Sequence, residues 1–486
     1  MAILLAACGL IAYGIVSDKI VISLAVAFFP VLILLVIKCF EHSYNTVLLI
    51  LSVTCFVPTL AHAIDDVPFG LITDATVCLG IVVLFPQIAR RRISLDNVRW
   101  DIVLAISVWL VYCILQVANP RMITIKAWMK GIRGFVLYFF FVFLFVQITA
   151  KEFRDVKKYL FVWSVLVIVA SIKVFYQRYV GFTPIDRHFL YAQEGYMTHI
   201  IYYGVRYFSI FSDAANFGGS MGMATGMFLI AGFHEKGFLK IYWWIVAGLA
   251  CIGMFLSGTR SALVVPVASI LVYLALVRDW KKMIPISIGL AAVVALLAFT
   301  DIGGSVTAIR RARTVFDRKQ DKSYQLRKEN QARLKELMKE IPLGNGISMS
   351  GKHGRSYGDT SEISTIGTDS GLVKVWVETG IIGLIIYLSV FGFLFVRGAA
   401  IVFYKLKNPE VRGITAGILA SLAGLFVMST NNEVFYSDIN GIIVYIGFGL
   451  VFLSQVFDRE MEARSNNVTD ERLPENIPDN DRLQRA

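Results

Sequence analysis

Lys126, Lys130 and Arg133 stand at i, i+4 and i+7, so on a helix their side chains share one face. Cations at the mouth of an apolar segment need anionic partners, and a phosphate or diphosphate carried by a lipid is the chemistry that suits them. In the competing reading, Lys126 and Lys130 extend their stems to the interface while Arg133 pairs internally. Arg260 lies in Ser257-Gly258-Thr259-Arg260-Ser261, a turn of a few residues between two apolar segments. Its planar fork of donors matches phosphate oxygens better than an ammonium does; the alternative is an interfacial arginine bonding helix-end carbonyls. Arg206, seven residues before Asp213-Ala214-Ala215-Asn216, invites the same phosphate reading, with Asp213 read first as a helix N-cap.

Among the acids, Asp369 in Gly367-Thr368-Asp369-Ser370-Gly371 heads a late apolar segment. As a carboxylate near cations it can take a proton from a sugar hydroxyl, and as a short acceptor it can equally cap the helix. Glu378 follows Lys374 by four residues and reads as half of an internal ion pair. Neither zinc spacing nor a phosphate-cradling Gly-rich strand-turn-helix is present, so neither a metal nor a cofactor is expected. Cys8, Cys39, Cys55, Cys78, Cys113 and Cys251 lie in or at the ends of separate apolar segments without metal spacing. Leu5-Ala6-Ala7-Cys8 lacks the positive n-region of a lipoprotein signal and reads as the start of a first span.

The elements that must position these groups are membrane helices. The 486 residues are 56% hydrophobic and 17% charged, which excludes a soluble globular protein. Apolar runs of spanning length fall near 2–16, 20–37, 45–60, 68–86, 101–117, 130–148, 159–176, 215–233, 241–257, 261–277, 283–299, 371–396, 413–428 and 438–457, about fourteen in all. Lys and Arg collect in alternate loops, at Lys38, Arg90 to Arg92, Lys151, Arg154, Lys157, Lys236, Arg278, Arg397, Lys405 and Lys407 among others, and the positive-inside rule assigns these loops to the cytoplasm. Both termini then face the cytoplasm, and loops 177–206, 258–261, 300–370 and 429–438 face the other side. The net charge of +12 is therefore a topology signal and does not argue for nucleic acid.

The expected organisation is all-α and polytopic: helices over 1–299, a large outer loop over 300–370, helices over 371–457, and a disordered cytoplasmic tail over 458–486. Within the loop, Leu326, Leu334, Leu337, Met338 and Ile341 share one face of an amphipathic helix from Tyr324 to Ile341, lying on the bilayer or capping the membrane domain. Pro342 stops it, and Gly344-Asn345-Gly346 with the Gly- and Ser-rich run to Gly371 reads as a mobile loop over a cavity.

In order along the chain, Phe211-Ser212-Asp213-Ala214-Ala215-Asn216-Phe217, Ser257 to Ser261, the Arg327 helix running into Pro342-Leu343-Gly344-Asn345-Gly346, and Thr368-Asp369-Ser370-Gly371 through Leu384 resemble the O-antigen ligase and polymerase superfamily of bacterial surface-polysaccharide assembly, over roughly residues 205–390. The resemblance implies a C-type glycosyltransferase-like fold in the bacterial inner membrane. It implies a polyprenyl-diphosphate-linked glycan as donor, an extracytoplasmic active site, and neither a nucleotide sugar nor an essential metal. Membrane lipid, a chain-length regulator and other polysaccharide-assembly proteins are the implied partners. Diphosphate contact carries over to Arg260 and Arg206, joined by Lys130 and Arg133, with Asn216, Arg327, His353 and Glu378 in supporting places. Ligases of the family have a histidine-asparagine pair where this chain has Asp369-Ser370, so a polymerase is expected, with Asp369 and Arg260 as its catalytic pair. A ligase using His353 or Asp369 as base and a flippase for the same lipid-linked sugar are the alternatives.

Overall fold

A computed structural model describes residues 33–65, 67–91, 93–201, 204–277 and 322–470. The expected spans 2–16 and 283–299, most of 20–37, the loop to 321 and the tail beyond 470 lie outside the described residues. The long helices are α1 (Tyr44–Ala63), α2 (Gly70–Ala89), α3 (Trp100–Leu115), α4 (Ile125–Ile132) continuing through a π-turn into α5 (Tyr138–Thr149), α6 (Phe153–Tyr179), α7 (Ala214–His234), α8 (Gly237–Leu256), α9 (Val264–Val277), α10 (Lys322–Leu337), α11 (Gly371–Tyr404), α12 (Pro409–Ser429) and α13 (Asp438–Asp470). Ten spans among them are long and apolar enough to cross a membrane. Such helices satisfy their own backbone polar groups, as a bilayer requires, and turn residues such as Phe85, Leu104, Ile172 and Val396 outward.

The expected span at 215–233 is α7, which is too glycine-rich to count among those ten. Its apolar content is modest because its small residues serve packing instead. A Cβ at Gly222 would stand 2.9 Å from Val265 Cβ, and one at Gly226 2.9 Å from Ser269 Cβ. Close backbone approach of this kind is how membrane helices associate when lipid offers no hydrophobic drive. With α12 and α13 packed on it as well, α7 is buried along nearly its whole length.

α11 breaks at Gly380, whose φ of 73° and ψ of −176° are non-helical. The Pro342–Gly346 segment docks into that break: Asn345 N–H donates to the Val377 carbonyl at 2.8 Å and Gly346 N–H to the Glu378 carbonyl at 3.0 Å. From the other side, Gln116 and Asn119 side chains donate to the Leu343 carbonyl at 3.1 and 3.0 Å. The run expected to be a mobile loop is instead folded. Asn345 is buried and donates to Asp359 at 2.8 Å, Asp359 accepts from Ser361 N–H at 2.8 Å, and short helices form at Gly351–Ser356 and Glu362–Thr365. Polar residues of low hydropathy read as loop because their hydrogen-bond partners are distant in sequence.

Residues 322–340 are helical, and their C-terminal part packs on the folded loop and on α11. Leu334, Met338 and Ile341 are buried with Ile363, Ile366 and Val377, and Arg333 pairs with Glu362 at 2.6 Å. Leu326, expected on the apolar face, is exposed, so only the C-terminal half of α10 is seated.

The loops expected on one side of the membrane gather at one end of the bundle. Thr59 donates to the Ile210 carbonyl, and Gln193 donates to Asp65 at 2.6 Å. At the opposite end the basic loops are neutralised: Lys157 pairs with Glu410 at 2.7 Å, Arg464 with Glu152 at 3.2 Å, and Asp458 accepts the Lys407 and Asn408 N–H groups at 3.0 and 2.9 Å. The Arg464 and Asp458 bonds belong to the extension of α13 to Asp470, so the first part of the expected disordered tail is helix.

Candidate functional site

At the loop-rich end a cavity of about 330 Å³ opens between the heads of α7 and α11, the short helix Gly351–Ser356 and the loop joining α12 to α13. Asp213, Asn216, Lys352, His353, Asp369, Lys374, Asn432 and Glu433 all line it. Stretches more than two hundred residues apart, from Asp213 to Glu433, therefore meet at one polar site.

The head of α7 is built first by local chemistry. Asp213 is its N-cap, accepting Ala215 and Asn216 N–H at 2.7 and 2.9 Å, as expected for a short acceptor before a helix. Asn216 donates to Asp213 at 2.5 Å and accepts from Ser437 and, at 3.2 Å, from Asn440 of α13. His199 Nε2 accepts the Ala214 N–H at 3.3 Å while Nδ1 faces the Gly195 carbonyl at 2.8 Å. Crowding by protein holds its imidazole below the usual histidine range.

Arg206 and Arg260 converge on this head. Arg206 donates to Thr259 at 3.0 Å and Thr259 donates to the Ala214 carbonyl at 3.0 Å, while Ser261 donates to Asn432. The Ser257–Ser261 turn is thus pinned between α7 and the α12–α13 loop, with Arg260 held in its middle. Burial pulls the Arg206 guanidinium below its usual range; Asp213 opposes this, and Arg327 and Arg260 add to it. Arg327 of α10 and Arg260 thus both act on Arg206, and the Arg206 Nε is buried without a hydrogen-bond partner among the described residues.

Asp369 is not the helix N-cap. Ser370 takes that role, accepting the Val373 N–H at 3.4 Å, and Asp369 sits one residue earlier with a positive φ of 52°. Aspartate tolerates this left-handed conformation better than most residues. Its exposed carboxylate faces the cavity and has no hydrogen-bond or ion-pair partner among the described residues. Non-glycine residues with positive φ collect at functional sites because surrounding structure must hold them there.

The expected Lys374–Glu378 pair does not form. Lys374 pairs with Glu433 at 2.9 Å, and Glu378, fully buried, accepts the Ser350 hydroxyl at 2.6 Å and the Ser348 N–H at 2.8 Å. Glu378 therefore ties the folded loop to α11 and stands behind the cavity wall. The cationic stripe also divides. Arg133 pairs with Asp74 of α2, which accepts from Tyr138 as well at 2.5 Å, so the internal reading holds for Arg133. Lys130 is exposed and acts electrostatically on His353, but it is not among the residues that line the cavity. His353 opens to the cavity yet is crowded by protein and faced by Lys374 and Lys130, and its imidazole is pushed down to about 4. Among the described residues no group of three or more histidines, cysteines or acids converges to hold a metal.

Sequence reasoning missed Glu433, Asn432 and Asn440. Thr430-Asn431-Asn432-Glu433 is a polar cluster between two apolar spans, and that was the available signal. Its partners, Thr368, Lys374 and Ser261, are too distant in sequence to be inferred from it, as is Asn216, the partner of Asn440.

Residues 245–388 match the family model described as O-antigen ligase. The match begins in α8, takes in the Arg260 turn, α10 and the docked Pro342–Gly346 segment, and ends in α11 beyond its break. The match supports membership of the O-antigen ligase and polymerase superfamily, whose members are membrane glycosyltransferase-like enzymes acting on lipid-linked polysaccharides. No curated protein matches the chain.

Proposed function

We propose that this protein is a polysaccharide polymerase, moving a growing glycan from one polyprenyl diphosphate onto a hydroxyl of the next lipid-linked repeat unit. The observation that carries this reading is the free Asp369 carboxylate facing a cavity bordered by cations. In the reaction, Asp369 takes the proton of the acceptor hydroxyl as its oxygen bonds to the anomeric carbon. The bond from that carbon to the diphosphate breaks, and the polyprenyl diphosphate leaves with the electron pair. Arg260 and Arg206 stabilise the charge that develops there, with Arg327 and Lys130 at the margins. A fixed cation at such a position contributes about a hundredfold in rate. Arg133 has no part in this scheme, being occupied by Asp74. The positive-inside pattern supports an extracytoplasmic cavity in the inner membrane.

The ligase reading keeps one observation in its favour, the presence of His353 on the same cavity. Asp369→Asn distinguishes the bases, since it keeps the size of the side chain and removes its proton affinity. With purified protein and lipid-linked repeat units, Asp369→Asn is expected to bind donor normally and to lose nearly all transfer. Full activity would exclude Asp369 as base. In a deletion strain, a single repeat on the final acceptor marks a polymerase, and a bare acceptor beside lipid-linked polymer marks a ligase.

A further inference from the structure

The cavity holds a second carboxylate that this chemistry leaves unused. Glu433 reaches two ways from the α12–α13 loop: Oε1 accepts the Thr368 hydroxyl, and Oε2 accepts the Lys374 ammonium at 2.9 Å. Thr368 immediately precedes Asp369, and Lys374 lies on the first turns of the helix that follows. The same loop holds the turn at further points. Gly371 N–H donates to the Asn432 carbonyl at 3.2 Å, and the Ser370 hydroxyl donates to the Ser429 carbonyl at 3.4 Å. The turn that keeps Asp369 at φ 52° is therefore stitched to one loop on both sides.

The other charged groups around Asp369 have assignments of their own. Asp213 caps α7, and Lys352 reaches outward to Glu194 at 3.7 Å. Lys374 and Lys130 act electrostatically on His353, and Asp213, Arg327 and Arg260 act on Arg206. Lys374 is the cavity cation with the least access to solvent, its side chain 13% exposed, and Glu433 is its ion-pair partner.

The geometry points to Glu433 as a positioning residue for glycosyl transfer: it fixes the Thr368–Gly371 turn so that Asp369 faces the cavity, and it occupies Lys374 so that this cation does not capture Asp369. The inference rests on Asp369 acting as the base. Glu378 also acts on Lys374 but is held by the Ser350 hydroxyl and the Ser348 N–H, so an ammonium left there without Glu433 turns to Asp369, the carboxylate on the same cavity with no partner among the described residues. A carboxylate so engaged is stabilised in its ionised form and accepts a proton less readily.

The test is the pH dependence of kcat for the full-length protein in lipid nanodiscs, with lipid-linked repeat units as substrate. Glu433→Gln still accepts from Thr368 but carries no charge. It is expected to lower kcat roughly tenfold or more with little change in KM, and to move the acidic limb of the profile down by roughly one pH unit. Glu433→Gln/Lys374→Met removes both charges and is expected to return the limb to its wild-type position. Glu433→Asp, which keeps the charge and also serves if Glu433→Gln does not accumulate, is expected to leave the limb in place while kcat falls. A wild-type profile for Glu433→Gln, a double variant whose limb stays displaced, or a displaced limb in Glu433→Asp would each overturn the role. Asp369→Asn separates the two ideas. If it is fully active, the base assignment fails; if it is inactive while Glu433→Gln behaves as wild type, only the positioning role fails.

Discussion

Gly380→Ala should release the folded loop from α11. At φ 73° and ψ −176° the backbone occupies a region open essentially to glycine alone, and forcing alanine into it costs about 1–3 kcal/mol. The added Cβ would overlap the Pro342 carbonyl oxygen and stand 2.6 Å from the Gly344 nitrogen, so the docked segment has to move. Moving it breaks the bonds from Asn345 to the Val377 carbonyl and from Gly346 to the Glu378 carbonyl. These bonds, about 1 kcal/mol each, go with it. From the backbone strain the docked population should fall by between about fivefold and about a hundredfold, at tenfold per 1.4 kcal/mol. Because Ser350 and His353 belong to the same folded stretch, the cavity wall is lost with it. The assay is limited trypsin digestion of purified protein, reading cleavage after Lys352 and Arg355, beside glycan transfer. Gly392→Ala in the same helix is the control, since its Cβ would meet nothing within 4 Å. Wild-type protease resistance and activity in Gly380→Ala would refute the docking argument.

Arg260→Lys should lose nearly as much transfer as Arg260→Ala, about a hundredfold, because an ammonium cannot reproduce the planar fork; near-normal polymer from well-expressed Arg260→Ala would remove it from the site. His353, held near 4 in the folded protein against about 6.5 in an unfolded chain, binds fewer protons folded than unfolded between those values. Its presence therefore lowers stability as pH falls through that window, and His353→Gln should show a smaller loss of Tm between pH 7 and pH 5 than wild type. Membrane sidedness is read from cysteine substitutions at two exposed lysines on opposite ends of the bundle, Lys352→Cys and Lys407→Cys, in a background free of other cysteines. An impermeant thiol reagent added to spheroplasts should label the first and spare the second; the reverse would place the cavity in the cytoplasm. Ser350 is a poorer probe because it is buried against Glu378.

Among the described residues hydropathy was enough to place the long helices, since a spanning helix satisfies its own backbone and is apolar over most of its length. The N-cap role of Asp213 and the seated half of α10 were legible for the same reason, both being local patterns that a helix end or a helix face imposes. Where a charged side chain finds its partner is a different kind of fact. Spacing on one helix put Lys374 with Glu378 and aligned Arg133 with Lys130, but a cation on a bundle helix pairs with whatever carboxylate the packing brings near. Packing brought Glu433 to Lys374 and Asp74 to Arg133. The choice between Asp369 and Ser370 as cap turned on a single φ angle, fixed by a loop more than fifty residues onward. Local sequence thus set the long helices among the described residues, though not the cap of α11, the end of α13 or the short helices of the folded loop, whereas the cavity depends on small residues on α7 and the break at Gly380 that let distant backbones approach closely.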